Sequence, residues 1–348
     1  MDRRLRIRAR SKLNYLLRLV ALASTLLLSA CISEDAPMNY LYPEGPQAIQ
    51  ADRLWDVTFG IAAVVFFLVE GGLIFILFKY RESRKGGGVE PKQLHGHTKL
   101  ELLWTAIPAV ILTGIAFMTV PVIFDQAREP EDPLNVEVIG HQWWWEYRYE
   151  NGVVTANELH IPTDRPVLLD LRSGDVIHSF WIPKLAGKQD VVPGRINHMT
   201  IQANEPGEYL GQCAEYCGLS HANMRAKAYA HEPADFDRWV EEQLADAANE
   251  GSVNEGRELF LNQQFAGGQS CVACHAIKGT SAAGVLGPNL THLASRDRFA
   301  GEMFELNEEN LKKWLADPPN QKPGSLMPDL GLNQEQINDL TAYLLSLE

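Results

Sequence analysis

The residues most able to do chemistry in this chain of 348 residues are its five cysteines, which fall into three separate groups. The first group contains Cys213 and Cys217, and it belongs to a set of possible metal ligands in two nearby segments: His178, Cys213, Glu215, Cys217, His221 and Met224. Thiolate, imidazole and thioether donors together favour copper over magnesium or calcium. The set therefore predicts a copper site.

Two thiolates in one loop can bridge two copper ions while each ion takes one histidine. The Met224 sulfur and the Glu215 backbone carbonyl would then be weak outer ligands. Spreading one electron over two bridged metals lowers the rearrangement needed on transfer, which suits a carrier. Two alternatives remain, a zinc site and a disulfide between Cys213 and Cys217, which an exported compartment permits. The disulfide would leave the histidines and Met224 without a role.

The second group of cysteines lies in the segment CVACH, formed by Cys271 to His275. C-x-x-C-H is the attachment pattern of a c-type haem. The thiols of Cys271 and Cys274 would add to the haem vinyl groups, and His275 is placed to ligate the iron. This segment therefore predicts a covalent haem c.

A sixth iron ligand would come from later in the chain, where Met303 and Met327 are the two methionines. Met327 precedes a proline in a loop rich in Pro and Gly, and a helical segment follows it, so Met327 is the predicted ligand. Thioether ligation raises the iron potential, which suits a carrier that feeds copper. We expect Met303 to pack under a helix and His292 to lie on the surface.

Cys31 forms the third group, and it ends an amino terminus that has the pattern of an export signal. Residues 3–12 are strongly basic, residues 16–28 are apolar, and Ser29 and Ala30 are small. The segment resembles the lipobox of bacterial lipoproteins, which implies removal of residues 1–30 and lipidation of Cys31. An ordinary secretory signal with an unmodified cysteine is the alternative.

Two further apolar stretches, at about 57–78 and 102–124, are long enough to span a bilayer as helices. The loop between them is basic, so the positive-inside rule places it in the cytoplasm. Cys31 and all residues after 124 would then lie outside a bacterial cell membrane. The formal net charge of −13 argues against a nucleic-acid partner and is compatible with docking a basic protein.

Residues 125–232 have the pattern of a β-domain, because alternating runs at 134–138 and 143–149 are separated by turn signals. Short strands at this spacing predict a sandwich or barrel, and copper ligands in its loops indicate a cupredoxin-like β-sandwich. Residues 233–254 predict an acidic helix and a linker. Residues 255–348 are helical near 255–264, 307–316 and 333–347, which is the layout of an all-α class I cytochrome c. Residues 31–124 contain the two predicted transmembrane helices, which would form a hairpin. Together these segments predict a multidomain chain.

Several segments of residues 45–232 resemble the Cu-A domain of cytochrome c oxidase subunit II: DVIHSFWIP, VVPGRINHMT, GEYLGQCAEYCGLSHANM, HQWWWEYRYE and ELLWTAIPA. The resemblance implies a dinuclear copper centre at the ligand set given above. It implies that electrons enter the domain through Trp143 and that the Glu215 side chain binds magnesium at a subunit interface. It also implies that Glu101 lies at the mouth of a proton channel. From its position alone Glu101 would be an ordinary acidic residue at a helix start.

With its haem motif, the chain resembles subunit II of a caa-type oxidase, in which a cytochrome c domain follows the copper domain. Electrons from cytochrome c or another donor would pass through haem c and Cu-A to a catalytic subunit I. There, with other oxidase subunits, oxygen would be reduced and protons pumped. The alternative is the corresponding subunit of a Cu-A-containing nitric oxide reductase. Three other classes of protein fit the sequence less well. Nitrous oxide reductase would need a further large domain, and a copper delivery protein rarely needs haem. Ubiquinol oxidase subunits share the fold but lack the copper ligands.

Overall fold

The structure is a computed structural model that describes residues 18, 36–81, 93, 95–247 and 254–348. The predicted lipidation of Cys31 therefore falls outside the described residues. The same holds for all of the predicted export signal except residue 18, for most of the basic loop, and for residues 248–253 of the predicted linker.

Two long helices, α1 (Pro46–Lys79) and α2 (Thr98–Gln126), contain the two predicted spans and extend beyond them. Their central apolar side chains are not buried within the protein, which is the arrangement expected of helices that face lipid or another membrane subunit. Glu101 lies in the first turn of α2, where its Oε1 accepts a hydrogen bond of 2.9 Å from the His97 amide. The structure thus places Glu101 at a helix start, as its position indicates.

The two helices form an antiparallel hairpin whose paired ends adjoin the following domain. Gln50 near the start of α1 donates a hydrogen bond of 2.6 Å to Asp125 near the end of α2. Beside it, Gly45 donates a 3.1 Å hydrogen bond to the Lys184 carbonyl, and a Cβ at Gly45 would lie only 2.3 Å from the Gln202 carbonyl oxygen. The glycine therefore lets the chain pass close to the domain before α1 begins.

The segment after α2 folds into two five-stranded sheets, ordered β3-β2-β1-β5-β8 and β4-β10-β9-β6-β7. We call it the β-domain; its strands are β1 (Leu134–His141), β2 (Trp144–Tyr149), β3 (Val154–Ala156), β4 (Glu158–Pro162), β5 (Val167–Ser173), β6 (His178–Trp181), β7 (Gln189–Val191), β8 (Asn197–Ile201), β9 (Gly207–Cys213) and β10 (Arg225–His231). The β1–β5 and β4–β10 pairs are parallel and the other pairs are antiparallel.

The strands pack because alternate residues turn their side chains into one apolar core. Val136 and Val138 of β1 and Leu169 and Leu171 of β5 are buried on that face, and Phe180 joins them from the other sheet. The two-sheet arrangement confirms the predicted cupredoxin-like sandwich. Helix α3 (Pro233–Leu244) follows β10, at the position of the predicted acidic helix.

Residues 254–348 form a second unit, here called the helical domain, with its own apolar core. Its helices are α4 (Asn254–Asn262), α5 (Glu308–Ala316), α6 (Pro318–Gln321) and α7 (Gln334–Leu344), so the three predicted helices are present. Helices α4 and α7 cross at Gly256, where a Cβ would lie 2.1 Å from the Asp339 carbonyl oxygen. The structure adds a short antiparallel ladder of β11 (Arg298–Phe299) and β12 (Phe304–Glu305) to the predicted helices.

The helical domain packs on the β-domain through a cluster of charged side chains, here called the interdomain charge cluster: Glu158, Lys227, Arg296, Asp297 and Glu302. The Nζ atom of Lys227 on β10 lies 3.8 Å from a carboxylate oxygen of Asp297 and 3.8 Å from one of Glu302. The carboxylates of Glu158 and Glu302 are almost fully buried, and three of their four oxygen atoms lack a hydrogen-bond partner among the described residues.

Burial raises the pKa of Glu158 to about 7, although Arg296 and Lys227 oppose the shift. Burial, followed by the charge of Glu158, also raises the pKa of Glu302 to about 7. Because both values lie above the ordinary 4.5, the folded state binds more protons than the unfolded state between pH 4.5 and 7. These two groups therefore make their full contribution to the stability of the folded state below pH 4.5. That contribution is lost as the pH rises through about 7.

We predict that Glu302→Gln reduces the loss of thermal stability between pH 4.5 and 7, because the variant removes one of the two carboxyl groups that ionise in the cluster. Calorimetry of the full chain across this pH range measures the effect. Glu305→Gln, at an exposed carboxylate in the same segment, is the matched control and should retain the full pH dependence. An unchanged pH dependence in Glu302→Gln would show that the cluster is not the source.

Candidate metal and haem centres

The structure brings the predicted copper ligands together at one end of the β-domain. His178 begins β6 and Cys213 ends β9, and these two strands pair directly. The loop after β9 returns Cys217 to within 3.8 Å of Cys213, sulfur to sulfur. The ligand atoms of His178, Cys213 and Cys217 all lie within 4.8 Å of one another, and all three residues are buried.

Each sulfur has its own histidine. Nδ1 of His178 lies 4.0 Å from the Cys213 sulfur, whereas Nδ1 of His221 lies 3.5 Å from the Cys217 sulfur. The Met224 sulfur is 3.8 Å from Cys217. Two sulfurs flanked by one imidazole each are arranged as a pair of bridging thiolates would be in a dinuclear centre, and these soft donors fit copper.

The two sulfurs do not form a disulfide in this structure. Cys213 and Cys217 are both free, and their separation of 3.8 Å is well above the bonded distance of about 2.05 Å. The disulfide alternative is therefore wrong for this conformation. A hydrogen bond from the Cys217 thiol lowers the pKa of Cys213, and the same pairing raises the pKa of Cys217.

A carboxylate behind His178 sets the orientation of the imidazole. Oδ1 of Asp175 accepts a hydrogen bond of 2.8 Å from Nε2 of His178, which leaves Nδ1 facing the sulfurs. Burial disfavours the charged imidazole, but the hydrogen bonds to Asp175 and Cys213 outweigh this effect and raise the pKa of His178. A carboxylate on the ring nitrogen that faces away from the metal fixes the tautomer of a ligating histidine.

The carbonyl oxygen of Cys217 anchors the ligand loop to the turn between β1 and β2. It accepts a hydrogen bond of 3.0 Å from the Trp143 indole and one of 2.7 Å from the Gln142 side-chain amide. Gly218 has a φ of +117°, and a Cβ there would lie 2.9 Å from the Gln142 amide nitrogen. Trp143, the predicted residue of electron entry, is therefore buried beside a predicted copper ligand.

Glu215 presents two different groups. Its carbonyl oxygen accepts a hydrogen bond of 3.2 Å from the Cys213 thiol, so it lies beside the predicted copper ligands. Its carboxylate is exposed and accepts a hydrogen bond of 3.1 Å from the Tyr216 amide. The exposed carboxylate is accessible to a neighbouring subunit, and its magnesium role stays a prediction.

The haem-attachment motif lies in a short 3-10 turn of the helical domain. Cys271 and Cys274 are both free thiols and partly buried. His275 donates from Nδ1 to the Pro288 carbonyl at 2.8 Å, which leaves Nε2 to ligate a metal. A Cβ at Gly287 would lie 2.7 Å from the His275 ring, so a glycine is required beside the imidazole. These groups fit a covalently attached haem.

The predicted sixth ligand, Met327, lies in the loop before α7 and packs against the core of the helical domain. The Trp314 indole donates to its sulfur at 3.2 Å and so fixes the thioether. Met303 is half-buried after β11. The expectation for His292 was wrong: its side chain is only 7% exposed, because the segment after Leu290 turns inward.

Asp175 and Lys322 are among the supporting residues that the sequence did not reveal. Asp175 stands three residues before a ligand histidine, and an acidic residue in the turn before such a histidine is a signal that could have identified it. Lys322 donates to the Trp143 carbonyl from 179 positions away. No local pattern relates two residues at that separation, so only the fold places Lys322 at the site.

We predict that Asp175→Asn lowers copper affinity by about 10- to 100-fold, the usual effect of losing the partner of a ligating histidine. The Asn side chain has no negative charge to hold the Nε2 proton. Competition with a chelator measures the affinity, and Asp164→Asn, at an exposed turn residue, is the control. Equal affinity in both variants would remove Asp175 from the site.

Comparison with known protein families covers most of the chain in three parts. Residues 36–122 match the transmembrane domain of cytochrome c oxidase subunit II, and residues 153–229 match its periplasmic domain. Residues 253–348 match the cytochrome c family. These domains imply a Cu-A copper centre and haem c, and they imply that the chain is anchored in a membrane.

Individual relatives agree over nearly the whole length. Cytochrome c oxidase subunit 2 of Alkalihalophilus pseudofirmus is 40% identical over 93% of this chain and 94% of that protein. The Bacillus subtilis protein of the same name is 33% identical over 93% and 95%. A crystal structure of the periplasmic domain of subunit II from Bradyrhizobium japonicum cytochrome oxidase aligns with 33% of this chain and 95% of that chain, at 30% identity and a TM-score of 0.32. The chain belongs to the cytochrome c oxidase subunit II family, in a form that carries a cytochrome c domain after its copper domain.

Proposed function

We infer that the chain, as a member of this family, is the electron-entry subunit of a respiratory haem-copper oxidase. We propose that particular side chains hold its two redox centres: His178, Cys213, Glu215, Cys217, His221 and Met224 for Cu-A, and Cys271, Cys274, His275 and Met327 for haem c. The observation that carries the proposal is the pair of free thiols 3.8 Å apart, each with a separate histidine nitrogen beside it.

The protein contributes positioning and tuning to this function, because the bound groups supply the one-electron chemistry. At the copper site, burial of both cysteines excludes water. Asp175 fixes one imidazole, and the Cys217 carbonyl fixes the loop. At the haem site, Pro288 orients the proximal imidazole and Trp314 holds the thioether. Ligands held rigidly in place need little rearrangement when an electron arrives.

Four finer roles are part of the same proposal. We assign the Glu215 carboxylate to a magnesium ion shared with the catalytic subunit, Glu101 to the mouth of a proton channel, Trp143 to electron entry, and Cys31 to lipidation. Exposure of the Glu215 carboxylate and burial of Trp143 beside Cys217 support two of these roles. We also propose the domain division 1–30, 31–124, 125–232, 233–254 and 255–348.

The membrane arrangement follows from the hairpin. We propose that the chain crosses a bacterial cell membrane twice, with both redox domains on the outer face. The β-domain contacts the end of the hairpin where α1 begins, whereas the basic loop joins the opposite ends of the helices. The positive-inside rule supports a cytoplasmic loop. Catalytic subunit I, other oxidase subunits and cytochrome c or another donor are the proposed partners.

The reaction is tested on the complex purified through this subunit. We expect a mixed-valence dinuclear copper signal, haem c, additional haem a and rapid oxygen uptake. Cys217→Ser should abolish the copper signal and leave the haem c spectrum unchanged, since it removes one bridging sulfur. A b-type haem partner with consumption of nitric oxide would contradict the oxidase function. A copper signal that survives in Cys217→Ser would contradict the ligand set.

Met327→Ala should abolish the absorption band that marks methionine coordination of ferric haem, because the variant lacks the thioether. The optical spectrum of the oxidised complex measures this change. Met303→Ala is the matched control and should keep the band. If the band persists in Met327→Ala and disappears in Met303→Ala, the sixth ligand is Met303.

A further inference from the structure

The helical domain covers Trp143 at very close range. Gly301 and Gly324 both have positive φ angles, +78° and +82°, and both face this tryptophan. A Cβ at Gly324 would lie 2.4 Å from the indole ring, and one at Gly301 would lie 2.8 Å from the Trp143 carbonyl oxygen. Only glycine allows the backbone to approach this closely in these conformations. The indole is consequently only 6% exposed.

Lys322 bridges the two domains at this contact. Its ammonium donates a hydrogen bond of 2.6 Å to the Trp143 carbonyl of the β-domain and one of 2.8 Å to the Ala300 carbonyl of its own domain. The residue is 4% exposed, and none of the described carboxylates pairs with it. Burial lowers the pKa of Lys322 to about 7. A buried amine that lacks a carboxylate partner depends on its carbonyl acceptors.

Neighbouring hydrogen bonds extend the contact onto the copper-ligand loop. The Ser220 hydroxyl donates to the Pro323 carbonyl at 2.7 Å, and the Arg225 amide donates to the Gly301 carbonyl at 3.3 Å. Ser220 immediately precedes His221, and Arg225 immediately follows Met224. The segments around Gly301 and Lys322 therefore meet both the tryptophan and the loop of proposed copper ligands.

The same contact joins segments that carry ligands of the two proposed redox centres. Met327 is three residues after Gly324. Because Gly324 has no side chain, its backbone lies directly against the indole of Trp143. On the other side of the ring, the indole donates to the carbonyl of Cys217. A short sequence of bonds and contacts thus joins the loop of the proposed haem ligand to a proposed copper ligand.

We propose that Lys322 is a positioning residue for electron transfer inside this subunit. By tying the Trp143 carbonyl to the Ala300 carbonyl, it holds the helical domain on the indole and keeps the path between the two loops short. In the docked state the same contact shields Trp143 from a separate donor protein. The inference rests on the proposed function, because it assumes haem c and Cu-A at the assigned side chains.

The test compares Lys322→Met with the unmodified protein in the purified complex. Haem c is reduced by a light flash from a photoexcited dye, and its reoxidation is followed together with reduction of the copper centre. Because the variant loses both hydrogen bonds by which Lys322 joins the two domains, we expect transfer to slow by about tenfold or more. The haem c and copper spectra should remain unchanged. Hydrogen exchange at the Arg225 amide should become faster, since its acceptor lies on the helical domain.

Three further variants separate positioning from general damage. Lys322→Arg retains a charged donor and should recover most of the rate, whereas Lys322→Gln, with one donor group, should give an intermediate rate. Lys322→Gln also keeps the test valid if Lys322→Met does not fold. Lys313→Met, at an exposed lysine paired with Glu309, should transfer electrons at the unmodified rate.

An unmodified transfer rate in Lys322→Met, with the Arg225 amide still protected, would overturn the proposal. So would equal slowing in Lys313→Met. Failure of the proposed function would be visible in the unmodified complex, as absence of either centre or absence of transfer between them.

Discussion

The hydrogen bonds accepted by the Cys217 carbonyl are the constraint on which the rest of the site depends. They fasten the ligand loop to the turn after β1 through Gln142 and Trp143. With its backbone held there, the Cys217 sulfur lies beside Cys213 and His221 and forms no covalent bond to either. A loop free to collapse could oxidise to a disulfide in an exported compartment. The anchor therefore keeps two thiols in a geometry that a metal can bridge.

The contact between the two domains combines close backbone approach with buried charge. Lys322 is buried at this contact, and so are three members of the interdomain charge cluster, Glu158, Lys227 and Glu302. Burying a charged group is costly unless its hydrogen bonds are replaced. The Lys322 ammonium recovers them only where the Trp143 and Ala300 carbonyls both reach it. A contact built in this way favours one docked arrangement over many similar ones, which is the requirement for transfer between two fixed centres.

Much of the fold could be predicted because its elements are encoded by local periodicity. The apolar stretches in α1 and α2 and the alternation in β1 follow from the length of a bilayer and the period of a strand. The short ladder of β11 and β12 escaped prediction, since two-residue strands have no measurable period. His292 was misplaced because a polar residue in a loop is usually exposed, yet its segment packs inward on the helical domain.

The sequence by itself determined the types of chemistry, since donor identity and spacing within one segment, as in Cys213 to Met224 or Cys271 to His275, are local properties. It also determined the chain's membership in an oxidase subunit family. Tertiary structure alone decided which distant groups complete each site. Asp175 behind His178, Trp314 beside Met327 and Lys322 beneath Trp143 are set by the packing of separate elements. The physical reason is that hydrogen bonds and burial act over a few ångströms in space, whereas sequence patterns describe only neighbours along the chain.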